Sequence, residues 1–465
     1  MNTALYESNP LPTALPLRQP AWNDRLTAKH WRTLKGAFLG WIFDGYEALA
    51  LIVVLPALMH SVLTPAEMGS LPLYAGLVIG ITLLGWGIGG LIGGVLADYV
   101  GRKPMMMWSV MLYAILTGFT AFSNGIVYLC VLRFLTGLAM GSEWSTGISL
   151  VAETWPKEAR AKGAGFLQSG FGWGTLIATL AWYALSVFDP FGADNWRVMF
   201  AIGALPAFFV LYIRRGVDES EQWQEAIRTK QWSATGASDA ANKSNKRPFT
   251  LKQLFSEREA MRRIVLTTIL SIVTIVGWWA VSSWLPARTA ELAAAQHVAN
   301  ASHWISRVTL VYTVGAIVAY MASGFLIDSM GRRWFLFMSF AGSLAMTVLT
   351  YGWVSSVEGM LTLSAINGFF TLGCTFAWLA IYPAELFNAS VRSTATSFVF
   401  NSARLIAWVF PILSGSMIKS FGGVSQAALL FGSVYVIGMV LPWFLPETKG
   451  IGLPEDAQAQ NPTPV

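Results

Sequence analysis

Five ionisable side chains stand in stretches that are otherwise almost wholly apolar, and their types point to moving charge rather than breaking bonds. Asp44 and Glu47 lie in Gly40-Trp41-Ile42-Phe43-Asp44-Gly45-Tyr46-Glu47, Arg133 and Glu143 flank the small stripe Gly137 and Gly141, and Arg404 follows Asn401 by three residues. Inside a membrane-crossing helix each such residue costs about 2.5–3.5 kcal/mol on insertion scales, so it calls for a partner or a purpose. Three apart on a helix, Asp44 and Glu47 face roughly one side. At ~1.5 Å per residue from an entry near 36 they lie ~12 and ~17 Å deep, and Arg404, from an entry near 393, lies ~17 Å deep as well. A carboxylate held in low dielectric beside another acid can take a proton near neutral pH. A guanidinium stays charged and grips a carboxylate through two parallel N–H bonds. These residues therefore read as a proton site (Asp44, Glu47, Glu143) and an anion site (Arg404, Asn401, Arg133, with Tyr46 and Trp144 nearby). Filling both together would neutralise the cavity between them.

The elements that must carry them are membrane spans. Of 465 residues, 54% are hydrophobic and 12% charged, against about 25% charged in soluble domains. A soluble core cannot hide that much apolar surface, whereas a bilayer solvates it. The 43 Gly and 21 Trp suit close helix packing and interfacial belts. Crossing a ~30 Å hydrocarbon layer takes ~20 apolar residues as helix. Such runs occur near 36–58, 74–97, 104–123, 126–150, 161–187 and 196–213, and again near 262–285, 305–327, 333–353, 358–381, 393–418 and 424–445. The expected fold is an all-α membrane protein of twelve spans: a tail over 1–35, a six-helix bundle over 36–213, a polar linker over 214–261, a second bundle over 262–446 and a tail over 447–465. A short surface helix is expected around Glu219–Lys230, and Pro411 is expected to bend span 11.

With both termini inside, 25 Lys and Arg fall on the inner side and four (Arg197, Arg288, Arg307, Lys419) on the outer, as the positive-inside bias requires. The expected place is thus a cell (inner) membrane, multi-pass, with cytoplasmic termini. The net charge of +6 marks topology rather than a nucleic-acid partner. The first 35 residues lack the pattern of a cleaved signal, so span 1 is expected to direct insertion. Cys130 and Cys374 form no disulfide or metal framework, and no phosphate loop or His/Cys cluster supports an enzyme. No cofactor is expected beyond a proton gradient as driving force.

The two halves carry one signature twice. Gly94, Asp98, Gly101, Arg102 and Lys103 follow span 2, and Gly324, Asp328, Gly331, Arg332 and Arg333 follow span 8, offset by 230 residues. Glu153 with Arg160 after span 4 matches Glu385 with Arg392 after span 10, offset by 232. Six spans separate the copies, so they are parallel repeats. The glycines allow a turn and close helix contact, and the charges can bond to neighbouring helix ends.

These residues resemble the major facilitator superfamily, whose pattern after spans 2 and 8 is G-x-x-x-D-x-x-G-R-[KR]. The resemblance covers residues 36–450 and implies a two-bundle transporter in which these charges latch the cytoplasmic side. Asp44-Gly45-Tyr46-Glu47, Arg133-Phe134-Leu135-Thr136-Gly137 and Arg404 resemble the aromatic acid:proton symporters. Gly141-Ser142-Glu143-Trp144 is similar instead to the sialate and metabolite:proton group, and muconate- and nicotinate-type transporters share features of both. The resemblance implies proton-coupled import of a small organic acid; the expected partners are the organic anion, protons and the bilayer, and a monomer is expected as the working unit. Glu47, where Asp is commoner, and Glu143 depart from the aromatic-acid pattern. A proton-antiport efflux pump and a non-transporting nutrient sensor on the same fold are the alternatives. Each named residue also has a structural reading: Arg133 and Arg404 as braces, the acids bonded to backbone or to each other, the gate charges as topology anchors.

Overall fold

In the computed structural model the described residues are 21–230, 234, 248–298 and 301–454, and no strand occurs among them. Residues 1–20 and 455–465 of the tails lie outside the described set, as does the Ser233–Asn245 linker centre apart from Ala234. Spans 1 to 3 are α1 (Ala28–Val62), α2 (Leu71–Val100) and α3 (Arg102–Thr120). Span 4 is α4 (Ile126–Met140) with α5 (Glu143–Thr154), span 5 is α6 (Lys157–Phe188), and span 6 is α7 (Asn195–Ile202) with α8 (Pro206–Gly216). The linker holds α9 (Glu221–Arg228) and α10 (Thr250–Ser256). Span 7 is α11 (Arg258–Ala280), extended by α12 (Leu285–Ala295); spans 8 and 9 are α13 (Ala301–Met330) and α14 (Arg332–Val348). Span 10 joins α15 (Val357–Gly368) to α16 (Thr375–Leu386) through a π turn. Span 11 is α17 (Arg392–Ser402), α18 (Arg404–Ala407) and α19 (Phe410–Ser420), and span 12 is α20 (Val424–Gly432) with α21 (Tyr435–Val440).

Eleven of these spans are long and apolar enough to cross a membrane. The twelfth, α3, falls short on composition because its 19 residues begin Arg102-Lys103-Pro104. The helices overrun the apolar runs at several ends, α1 by eight residues before 36. Hydropathy marks only what sits in lipid, whereas the backbone ladder continues into polar turns. Span 11 breaks at Ala403 and at Trp408–Val409. The second break sits just before Pro411, whose ring supplies no N–H and crowds the carbonyl four residues back.

The halves meet most extensively through two helix pairs, α2 against α17 and α6 against α13. The first glycine of each repeated motif makes this contact possible. A Cβ on Gly94 would meet the Ser397 side chain at 2.3 Å, and one on Gly324 would meet the Lys162 Cα at 2.4 Å. The second glycine turns the chain: Gly101 and Gly331 have φ of +112° and +91°, where a side chain is strained. The end of the bundle carrying α9 and α10 is called here the linker face; Lys29 at the start of α1 meets Glu221 of α9 there at 2.5 Å.

Candidate functional site

The repeated charges gather at the linker face and pin the halves together. Arg102 donates to Glu153 through Nε (3.2 Å) and Nη2 (2.9 Å), and its Nη1 lies 3.0 Å from Asp98. From the other half Arg392 reaches the same Glu153 at 3.0 Å, while Arg102 donates to the Ala389 carbonyl at 2.6 Å. Asp98 accepts from the Ser393 and Thr394 amides and the Thr394 hydroxyl, capping α17 across the interface. All of Asp98, Arg102 and Arg392 are fully buried, so their charges hold only because each is partnered.

The second copy is built alike within its half. Arg332 donates to Glu385 at 2.9 and 2.5 Å and lies 3.2 Å from Asp328. Asp328 also takes Lys162 of α6 at 2.6 Å, a second bridge between halves. Arg333 donates to the Leu445 carbonyl at 2.8 Å, and Arg160 is buried near the start of α6.

Two carboxylates not anticipated as site residues complete this face. Glu219 accepts from the Arg102 and Lys103 amides at 3.1 and 3.2 Å, and Glu447 from those of Arg332 and Arg333 at 3.0 and 3.1 Å. Each caps the start of the helix after a motif, where unpaired N–H groups favour an anion. Burial pushes the Glu219 carboxyl up. Burial acts on Glu447 in the same sense, but the amides of Arg332, Arg333 and Lys449 outweigh it and hold that carboxyl below the usual range. Glu219 and Glu447 are 228 residues apart, close to the offset of the other pairs, and that spacing was the available signal. Trp223 of α9, also unanticipated, donates to the Asp98 carbonyl at 2.8 Å and stacks on Arg102 at 5.5 Å.

Above this face a cavity of ≈ 130 Å³ lies between the halves, lined from α1, α2, α4 and α6 on one side and from α11, α13, α16, α17 and α18 on the other. Its walls are mostly aromatic and aliphatic, and Arg404 and Arg133 are its charged lining. Arg404 is clamped between two rings, 3.8 Å from the Phe400 centroid and 4.3 Å from that of Trp86, a geometry in which ring quadrupoles favour the cation. Its Nη1 donates to Asn401 Oδ1 at 3.0 Å, and Asn401 is fixed in turn by donating to Ser397. Among the described residues no carboxylate lies within salt-bridge range of Arg404.

The acids sit behind the cavity wall in the first half. Glu47 takes Arg133 at 2.5 Å, both fully buried. Asp44 and Glu143 are also fully buried, and none of their four carboxylate oxygens has a hydrogen-bond partner among the described residues. Glu143 fits because Gly40 lacks a Cβ, which would lie 2.0 Å from its Oε1. Asp44 lies in the field of Glu143, Glu47 and Arg404 and beside the Tyr113 hydroxyl.

Of the anion-site expectations, then, Arg404 and Arg133 line the cavity and Asn401 supports Arg404 from behind. Tyr46 and Trp144 do not line it. The Tyr46 hydroxyl donates to the Met199 carbonyl at 3.0 Å. Trp144 donates to Gln168 at 2.8 Å and stacks on Phe400 at 4.0 Å, forming with Trp41 a floor between cavity and linker face. The lining rings Trp86 and Phe376 carried no signal that set them apart from lipid-facing aromatics.

The sequence pattern described as Sugar (and other) transporter matches residues 37–459. The chain is 29% identical over 454 residues to a probable 4-methylmuconolactone transporter of Cupriavidus pinatubonensis, covering 96% of this chain and 97% of that protein. It is 25% identical over 439 residues to the niacin transporter NiaP of Acinetobacter baylyi, covering 90% and 95%. In fold it is similar to the proton:xylose symporter XylE of E. coli, with TM-score 0.71, 18% identity and coverage of 93% and 99%. The chain belongs to the sugar (and other) transporter family of the major facilitator superfamily, a membrane transporter and not an enzyme.

Proposed function

We propose that the protein imports a small organic carboxylate together with protons, by alternating access of one cavity to the two sides of the membrane. The observation that carries this reading is Arg404, clamped between Trp86 and Phe400 on the cavity wall with no carboxylate in salt-bridge range among the described residues. A cation so placed receives an anion, and the relatives named for 4-methylmuconolactone and niacin agree with an acid as cargo. Coupling follows from Asp44, whose charge acts on Arg404. Protonating Asp44 withdraws that negative field and leaves Arg404 for the substrate carboxylate. Proton and anion thus favour each other's binding, which is symport; a pump exchanging protons for cargo needs them to compete.

Asp44 and Glu143 hold the proton, their buried oxygens lacking a hydrogen-bond partner among the described residues. The positive-inside bias sets the linker face in the cytoplasm, where the Glu153 cluster and its repeat close the path while the cavity is filled from outside. Both halves of one chain line the cavity, so a monomer suffices. The test is uptake of labelled aromatic, dicarboxylic, sugar and monocarboxylic acids into proteoliposomes under an imposed pH gradient. Accumulation should follow the inward proton gradient and vanish with a protonophore. Uptake of no carboxylate, or extrusion of cationic dyes instead, would remove the reading.

A further inference from the structure

The cavity is lined by two guanidinium groups, of which Arg133 is salt-bridged to Glu47 while Arg404 has no carboxylate in salt-bridge range among the described residues. From this we infer that the substrate is a flat monocarboxylate with an apolar body, and that Glu47 is the residue setting the number of charges accepted. The inference rests on the carboxylate reading above and narrows it.

Arg133 reaches the cavity wall, yet Glu47 takes its Nη1 at 2.5 Å within a fully buried pair. A second carboxylate on the substrate would meet attraction from Arg133 and repulsion from Glu47 at nearly one place. Once Asp44 is protonated, Arg404 alone of the two offers an unopposed charge. Arg133 Nε and Nη2 are unbonded among the described residues, so neutralising Glu47 would turn Arg133 into a second anion site.

The body of the substrate follows from what else lines the space. Three of the polar lining groups are already committed. Thr82 donates to the Val78 carbonyl at 2.7 Å, Thr175 to that of Gly172 at 2.8 Å, and the Gln168 oxygen accepts from Trp144 at 2.8 Å. Each hydroxyl buried without a partner costs about 1–3 kcal/mol, which disfavours a polyhydroxylated acid. Rings come from both halves: Trp41, Trp86 and Phe171 from the first, Trp278, Phe376 and Phe400 from the second. Flat π faces are matched by a flat π body. The ≈ 130 Å³ of space is near the roughly 150 Å³ of an apolar cavity that takes up benzene.

The test is equilibrium binding to the purified full-length protein of three probes: benzoate, terephthalate with the same ring and a second carboxylate, and glucuronate with hydroxyls in place of the ring. Benzoate should bind about tenfold or more tightly than either of the others. Glu47→Gln should move the terephthalate-to-benzoate affinity ratio about tenfold toward terephthalate, and Glu47→Gln combined with Arg133→Gln should bring it back within about threefold of wild type. A wild-type preference for terephthalate or glucuronate overturns the inference and leaves carboxylate transport standing. An unchanged ratio in Glu47→Gln overturns the role of Glu47. Binding of none of the three overturns the carboxylate reading as well. The wild-type comparison needs no variant, so a Glu47→Gln protein that fails to fold leaves the substrate class decided, and Glu47→Met, neutral and of similar length, then decides the charge count by the same terephthalate-to-benzoate ratio.

Discussion

At the scale of single residues the cavity turns on how a guanidinium is held. Arg404 is fixed by two ring faces and by Asn401, so its free edge is aimed before any ligand arrives. Lysine keeps the charge but not the planar fork or the stacking. Losing a charge-assisted hydrogen bond is worth about 1.5–3 kcal/mol, so Arg404→Lys should weaken carboxylate binding by roughly 10- to 100-fold and Arg404→Ala by at least as much, measured by equilibrium binding. Asp44→Asn should do something different. It leaves Arg404 in place and mimics the protonated acid, so anion exchange across the membrane persists while gradient-driven accumulation fails. Accumulation like wild type in Asp44→Asn proteoliposomes would move the proton site elsewhere. Charges in spans were legible because each is an anomaly against lipid. For Tyr46 and Trp144, residue type and depth do not reveal which neighbour a ring faces; Tyr46 turns to Met199 and Trp144 to Gln168.

At the scale of elements, α2 shows how adjacent glycines serve different partners. A Cβ on Gly89 would lie 1.9 Å from the Leu138 carbonyl of α4, whereas one on Gly90 would strike the Asn401 side chain at 2.1 Å. The first contact is rigid backbone within one half; the second is the side chain that supports Arg404. Gly89→Ala should therefore lower thermal stability, with overpacking costing about 1–3 kcal/mol, while Gly90→Ala should chiefly weaken substrate binding. Melting and binding curves on both proteins separate the two effects. The caps give a pH test on the same footing. Glu219 is raised by burial and Glu447 is held low by the amides it accepts from. As pH falls, Glu219 takes its proton above the ordinary carboxylate range and Glu447 below it. Protection of the Arg102 and Lys103 amides, as exchange relative to the intrinsic rate at each pH, should then be lost at a higher pH than that of Arg332 and Arg333. The spans themselves were readable from hydropathy, but α10 and the break at Ala403 were not. A seven-residue polar helix leaves no hydropathy trace, and Ala403 is a good helix former locally, so that break belongs to the packed span and not to its sequence.

At the scale of the whole molecule the question is what holds two bundles in one of two arrangements. Among the described residues two ion pairs between the halves, Glu153 with Arg392 and Lys162 with Asp328, differ in burial. Glu153 joins Arg102 of its own half to Arg392 of the other with every side chain fully buried. Lys162 meets Asp328 with 13% and 29% of their side chains exposed. Partly hydrated pairs contribute about 0–1 kcal/mol, whereas removing one member of a buried cluster costs about 3–5 kcal/mol because the remaining charges are stranded. Under the proposed alternating access the penalty applies only while the halves are closed here, since opening would return Arg102 and Arg392 to water. Glu153→Gln should consequently shift the closed-to-open ratio by a factor of 100 or more, at about tenfold per 1.4 kcal/mol, and Lys162→Ala by less than about fivefold. Spin-label distances between α9 and α16, read with and without substrate, report that ratio directly. Equal shifts in both variants would mean that burial does not set the strength of the latch, and that the matching motifs of the two halves act as interchangeable ties.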